Sequence, residues 1–258
     1  MAIHCPPLGD FADPNEVRMN WRSRRVRWLA AALVVVAVVG VGVWALTPQA
    51  KPESRPATLD EAARLAMARY TTYQNSPVRV RVQAPMAGST VVVEGVVDYR
   101  RHHAVGSYEF VGSSEGLVAW DDRGLAVAPG KRADPLVAAG TMAPADWSPR
   151  SYTPDPLDAA LRLSMLMGQD RPDNAQVLAE QGPRWLRGEV IDGKPYEVFA
   201  GPRPRSAADG GHSPLTYWID DTGGLRRVTR KMADLGTVVI DFPGGRAGEV
   251  PVNPWQSR

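Results

Sequence analysis

From Leu29 to Leu46 the sequence reads LAAALVVVAVVGVGVWAL, eighteen residues without a charged or strongly polar side chain, and this run constrains the chain more than any other feature. As a helix, with Trp28 included, it is about 28 Å long, close to the hydrocarbon thickness of a bilayer. Three leucines and seven valines favour insertion and no charge opposes it. Arg22, Arg24, Arg25 and Arg27 crowd the N-terminal flank, whereas Lys51 and Arg55 stand alone on the other. The positive-inside rule then predicts a cytoplasmic tail at 1–27, a transmembrane helix at 28–47, a Pro-rich charged linker at 48–57 and an extracytoplasmic domain at 58–258. The anchor residues are Trp28, Leu29, Leu33, Val36, Val39, Val43, Trp44 and Leu46, with the two indoles near the interfaces. A cleaved signal peptide is the competing reading, but its apolar region is normally shorter and Pro48 occupies the small-residue position of a cleavage site. The lone cysteine, Cys5, precedes the run, so the sequence offers no lipidated cysteine after it and no internal disulfide.

The segment beyond the linker is long enough for one well-buried core. Thr58-Leu-Asp-Glu61 matches a capping box, and Leu59, Ala62, Ala66, Tyr70 and Tyr73 recur at helical spacing, which predicts a helix to about Tyr73. After Pro77 the period becomes two: Val78, Val80 and Val82 alternate with Arg79, Arg81 and Gln83, and Val91, Val93, Val97 and Tyr99 continue the pattern. Strands are expected at 104–111, 117–120 and 125–128, the last two joined by a turn at Asp121-Asp-Arg-Gly124. Residues 129–156, with six prolines, two glycines and little periodicity, read as a long surface loop. Asp155-Pro156 opens a second helix, and Asp173 is expected to cap a third over 174–181. Hairpins follow at 185–200 and 215–232, with a last strand at 237–242. This order predicts an α+β fold, a curved antiparallel sheet with helices packed on its inner face.

Little in this domain points to catalysis. His102 and His103 are neighbours that a strand would point to opposite faces, and His212 lies in a Gly/Ser/Pro loop, so no shared metal site is expected. Asp121/Asp122 and Asp220/Asp221 fall at hairpin turns, where aspartate bonds the local backbone. Trp120, Trp185 and Trp218 sit inside apolar strand patterns and are expected in the core, leaving Trp147 and Trp255 as the surface candidates. The net charge of +2 resides in the first 28 residues, and the remainder sums to zero, which argues against a nucleic-acid partner. No cofactor is called for. The second helix is apolar on more than one face, with Leu157, Leu161, Leu163, Met165, Leu166 and Met167; it is either deeply buried or a flap over an apolar cavity.

Leu215-Thr-Tyr-Trp-Ile-Asp220, Gly224-Leu-Arg-Arg-Val228, the strand at 237–242, Pro251-Val252 and the preceding Val190-Ile-Asp-Gly193 resemble the LolA-like superfamily, and within it the actinobacterial LppX/LprG-type lipoproteins. The resemblance implies a half-barrel around an apolar cavity that holds lipid acyl chains without catalysis, here tethered at the outer side of the cell membrane by a peptide anchor. Val80, Val82, Val93, Val97, Leu161, Met165, Tyr217 and Ile219 are the ligand-cavity candidates on that basis. The alternative is a protein-interaction or envelope-sensing domain with an envelope protein partner. A continuous apolar cavity above about 300 Å³ would favour the first reading and a filled core the second.

Overall fold

The structure, a computed structural model, describes residues 53–86, 88–110, 112, 114–203, 213–245 and 247–252. The apolar run at 28–47, His212 and Trp255 lie outside the described residues, and among those described no helix is long and apolar enough to cross a membrane.

The described residues open with a short strand β1 (Arg55–Pro56) and helix α1 (Leu59–Gln74), followed by β2 (Val78–Met86), β3 (Ser89–Asp98), β4 (His103–Phe110), β5 (Ser114–Asp121) and β6 (Gly124–Pro129). Helix α2 (Pro135–Thr141), β7 (Ser148–Ser151), α3 (Pro156–Met165) and α4 (Ala175–Glu180) come next, and β8 (Arg184–Ile191), β9 (Lys194–Ala200), β10 (Leu215–Ile219), β11 (Leu225–Lys231) and β12 (Thr237–Asp241) complete the series. All twelve strands form one antiparallel sheet in the order β1-β8-β9-β10-β11-β12-β2-β3-β4-β5-β6-β7. Two joints depart from sequence order. At one, Ile240 of β12 lies opposite Val82 of β2, fusing the late hairpins to the early ones. At the other, β1 pairs with β8 through Arg55 and Trp185, so the end of the segment read as a spacer is already part of the sheet.

Local chemistry explains the helix starts. Thr58 accepts from the Glu61 backbone N–H while the Glu61 carboxylate accepts from the Thr58 N–H at 2.8 Å, so the expected capping box is formed. Asp155 caps α3 by accepting from the Asp158 N–H, with Pro156 in the first turn. Helix α4 is capped by Asn174, which accepts from the N–H groups of Gln176 and Val177, and not by Asp173 as expected; the Asp173 carboxylate instead pairs with Arg69.

Alternation along the strands sorts the core into two faces. Val80, Val82, Val91, Val93, Val97, Ala104, Val118, Trp120, Val228 and Ile240 point inward, onto Leu161, Leu163 and Met165 of α3. Helix α3 touches β12, β2, β3 and β5. On a flat sheet those strands span about 19 Å, nearly twice a helix diameter, so the sheet curls around the helix. Helices α1 and α4 cover the rest of the concave face, where Leu65, Ala68 and Leu178 meet Phe199 and Ile219. The fold class is therefore α+β with an open, curved twelve-stranded sheet.

The loop expected at 129–156 is not irregular: it holds α2, a 3-10 turn at Pro144–Asp146 and strand β7. Helix α2 also departs from the expectation that helices pack on the inner face. Leu136 and Ala139 lie with Trp147 and Val250 on Val96, Val105, Leu117, Ala119 and Ala126, the residues that alternate with the inward set. Trp147, a surface candidate by sequence, is 5% exposed because it fills this outer cluster.

Candidate functional site

Two strand glycines shape the floor of the concave face. Gly95 and Gly106 lie opposite one another on β3 and β4. A Cβ on Gly95 would meet the Trp120 ring at 2.9 Å, and one on Gly106 would collide with the Glu94 carbonyl. The indole of Trp120 thus lies across a strip without side chains, and its Nε1 donates to the Ser164 hydroxyl at 3.1 Å. The Tyr99 hydroxyl donates to the Ser164 carbonyl at 2.8 Å, and burial pushes its pKa far above the ordinary phenol value. These two bonds fix the C-terminal turn of α3 against the sheet.

At the N-terminal end of α3 the packing loosens. A cavity of about 150 Å³ lies between the helix and strands β2 to β6, bounded by Met86, Val91, Val93, Tyr108, Phe110, Val118, Leu125, Val127, Leu157 and Leu161, with Ser114 and Arg150 as the polar members. The Arg150 guanidinium does not point a free charge into it. It makes a two-pronged pair with Asp158, with Nη2 to Oδ1 at 2.8 Å and a shorter bond from Nη1 to Oδ2. Asp158 is fully buried and also accepts from the Thr153 N–H at 2.7 Å and hydroxyl at 2.8 Å. Burial alone pushes the Asp158 carboxyl up, but the bonds from Arg150 and Thr153 outweigh that and hold it below the ordinary carboxylate range.

A second opening of about 310 Å³ lies at the other end of the concave face, between α1, α4 and β10. Its lining is mixed: Leu65, Val177, Leu178, Tyr217 and Leu225 lie beside Arg69, Asp173, Asn174 and Gln181. Arg69 is engaged on both sides, donating to the Leu166 carbonyl at 2.9 Å and pairing with Asp173 at 3.4 Å. Burial raises the Tyr217 hydroxyl to about 12.

Of the eight ligand-cavity candidates, Val93 and Leu161 line the apolar cavity. Val80, Val82 and Val97 are buried in the same cluster with Met165 of α3, and none of the four lines that cavity. Tyr217 borders the mixed opening, and Ile219 is 1% exposed beneath α1 and α4. The apolar lining residues outside those candidates are Met86, Tyr108, Phe110 and Val127, with Val91, Val118, Leu125 and Leu157. The first four continue the inward alternation of their strands to the strand ends, the one signal that points to them.

His103 is buried, with Nδ1 3.1 Å from the Arg101 carbonyl and Nε2 3.2 Å from the Val250 carbonyl, while His102 lies in the turn with φ of 55°. Asp121 accepts from the Arg123 and Gly124 N–H groups, and Asp220 from those of Thr222 and Gly224, as turn aspartates do. Among the described residues no cluster of three or more His, Cys, Asp or Glu has metal-binding geometry.

No family model matches the chain, and no curated protein does. Among solved structures it is similar to lipoprotein LppX of Mycobacterium tuberculosis, at 16% identity and a TM-score of 0.41 over 74% of this chain and 98% of that one. A conserved protein of Thermus thermophilus matches at 8% identity and a TM-score of 0.36, over 73% and 90% of the two chains. A Vibrio parahaemolyticus domain described as an outer membrane lipoprotein-sorting protein matches at 11% identity and a TM-score of 0.21, over 72% and 90%. The first and third are of the LppX and LolA-like types that the motifs at 215–228 resemble.

Proposed function

We propose that the domain takes the end of an apolar chain, from a lipid or an acylated ligand, into the mouth of the half-barrel without catalysing a reaction. The carrying observation is the cavity at the N-terminal end of α3, where ten apolar side chains meet two polar ones. A space of about 150 Å³ with such walls has room for a benzene-sized apolar group. It suits a chain terminus and not a whole lipid, because α3 fills most of the concave face. Membrane tethering through residues 28–47 belongs to the same proposal: the ligand would then be received or presented locally and not carried across a gap.

The test is titration of the full-length protein with the neutral fluorophore N-phenyl-1-naphthylamine, alongside mass spectrometry of organic extracts. Saturable binding that Leu157→Trp abolishes is expected, since the larger side chain fills the cavity. Absence of both probe binding and co-purifying lipid would overturn the reading. The tether is checked by carbonate extraction and by external protease; a soluble secreted form beginning near residue 51 would refute it.

One observation favours a second reading. The cavity is about half the lower bound for ordinary ligand sites, so the concave face is close to a filled core. A domain of that kind would act through protein contacts, and a crosslinked envelope partner in the absence of probe binding would establish it.

A further inference from the structure

Helix α3 has two dissimilar sides. Leu157 and Leu161 face the apolar cavity, whereas Ala159, Arg162 and Leu166, roughly opposite at 3.6 residues per turn, border a separate groove of about 490 Å³. Tyr152, Arg230 and Met232 close the groove on its far side. Its volume falls within the range of ordinary small-molecule sites.

The charges in this groove are unbalanced. Arg162 and Arg230 come from different elements, and neither has a hydrogen-bond or ion-pair partner among the described residues. The one carboxylate in the lining, Asp158, is fully buried and already neutralised by Arg150. The same groove is bordered by apolar side chains, Met232 and a Leu166 that is 53% exposed. Two arginines bordering one groove are suited to phosphate, whose oxygens match the guanidinium fork. Free phosphate would use the arginines and leave the leucine and methionine idle; a phospholipid uses both.

We propose that this groove binds the phosphate headgroup of an anionic lipid, with Arg162 and Arg230 on the phosphate and Leu166 and Met232 against the adjoining glycerol and acyl carbons. The site is distinct from the apolar cavity and does not rest on it. It explains why α3 is apolar on two sides: one is core and the other is ligand surface.

The test is calorimetric titration of the full-length protein in neutral detergent with dihexanoyl-phosphatidylglycerol. Binding at least tenfold tighter than that of dihexanoyl-phosphatidylcholine or inorganic phosphate is expected. Combining Arg162→Gln with Arg230→Gln weakens it at least tenfold, the paired lysine substitutions weaken it less, and added salt weakens it in the wild type. Leu157→Trp leaves it within twofold, which separates this site from the cavity. Should the double variant not fold, Arg162→Gln alone, at an exposed helix position, gives the same readout through a several-fold loss. Equal affinity for the two phospholipids, or glutamine variants that bind as the wild type does, would overturn the proposal. Inorganic phosphate binding as tightly as the lipid would overturn the lipid assignment.

Discussion

The indole Nε1 of Trp120 donates to the hydroxyl of Ser164, joining the fully buried aromatic ring of β5 to the last turn of α3 at 3.1 Å. The same serine oxygen donates to the Leu161 carbonyl at 2.7 Å, so one hydroxyl serves sheet and helix together. Ser164→Ala would leave the indole N–H unpaired in the core and cost about 1–3 kcal/mol. Trp120→Phe removes the donor as well, so in a denaturation double-mutant cycle the combined variant should lose less than the sum of the single losses. Strict additivity would show that the bond couples nothing.

The pH dependence of stability should carry the signature of Glu61. The side-chain hydrogen bond from Arg55 is the main cause that lowers this carboxyl to about 2. A carboxylate with a depressed folded pKa stabilises the native state above its unfolded value, near 4.5, and loses that contribution as pH falls toward 2. With screening by water around the half-exposed Arg55, the contribution is about 1–2 kcal/mol. Thermal melts of the wild type and Glu61→Gln should differ by a few degrees at pH 6 and converge near pH 2. A gap that stays constant with pH would refute the assignment.

Arg150 and Asp158 tie β7 to the first turn of α3. Asp158→Asn would leave the half-exposed guanidinium without its counter-charge and the Thr153 donors with a weaker acceptor, at a cost of about 2–3 kcal/mol. Because the pair borders the cavity, the loss should be local. Hydrogen exchange is expected to speed up over the first turns of α3 and not in β10 or β11. Uniform acceleration across the sheet would mean that the pair supports the whole fold.

The parts legible in the sequence are those governed by near neighbours. The capping box at Thr58 and Glu61, the period-two valines of β2 and β3 and the turn aspartates at 121 and 220 each act within a few residues, and each appears as expected. Helix α2 carried the same Asp-Pro opening as α3, at Asp134-Pro135, but its seven residues are too few to show a helical period. Strand β7 is exposed along its whole length and so has no alternation to read. Alternation likewise tells which valines face inward but not which of them α3 covers. Val82 and Val93 are register partners with the same pattern, yet only Val93 lines the cavity. The two arginines of the second groove were out of reach for the same reason: Arg162 and Arg230 are distant in sequence and border one groove only because the β12–β2 joint draws the late hairpins against α3.

The outer face makes the sharpest contrast between neighbouring residues. Val250 is fully buried against the cluster of Val105, Leu117 and Trp147, and its carbonyl lies 3.2 Å from His103 Nε2; Val252, two residues on, is 66% exposed. A stretch outside the regular elements thus seals the convex side of β3 to β6 together with α2. Val250→Asp would place an unpaired carboxylate in an apolar site and should cost more than 3 kcal/mol. Val252→Asp should stay within about 0.5 kcal/mol, as surface changes do. Urea denaturation of the two variants checks this directly. Similar losses at both positions would mean that the segment at 247–252 covers the sheet as a loose flap, and that α2 alone protects the outer cluster.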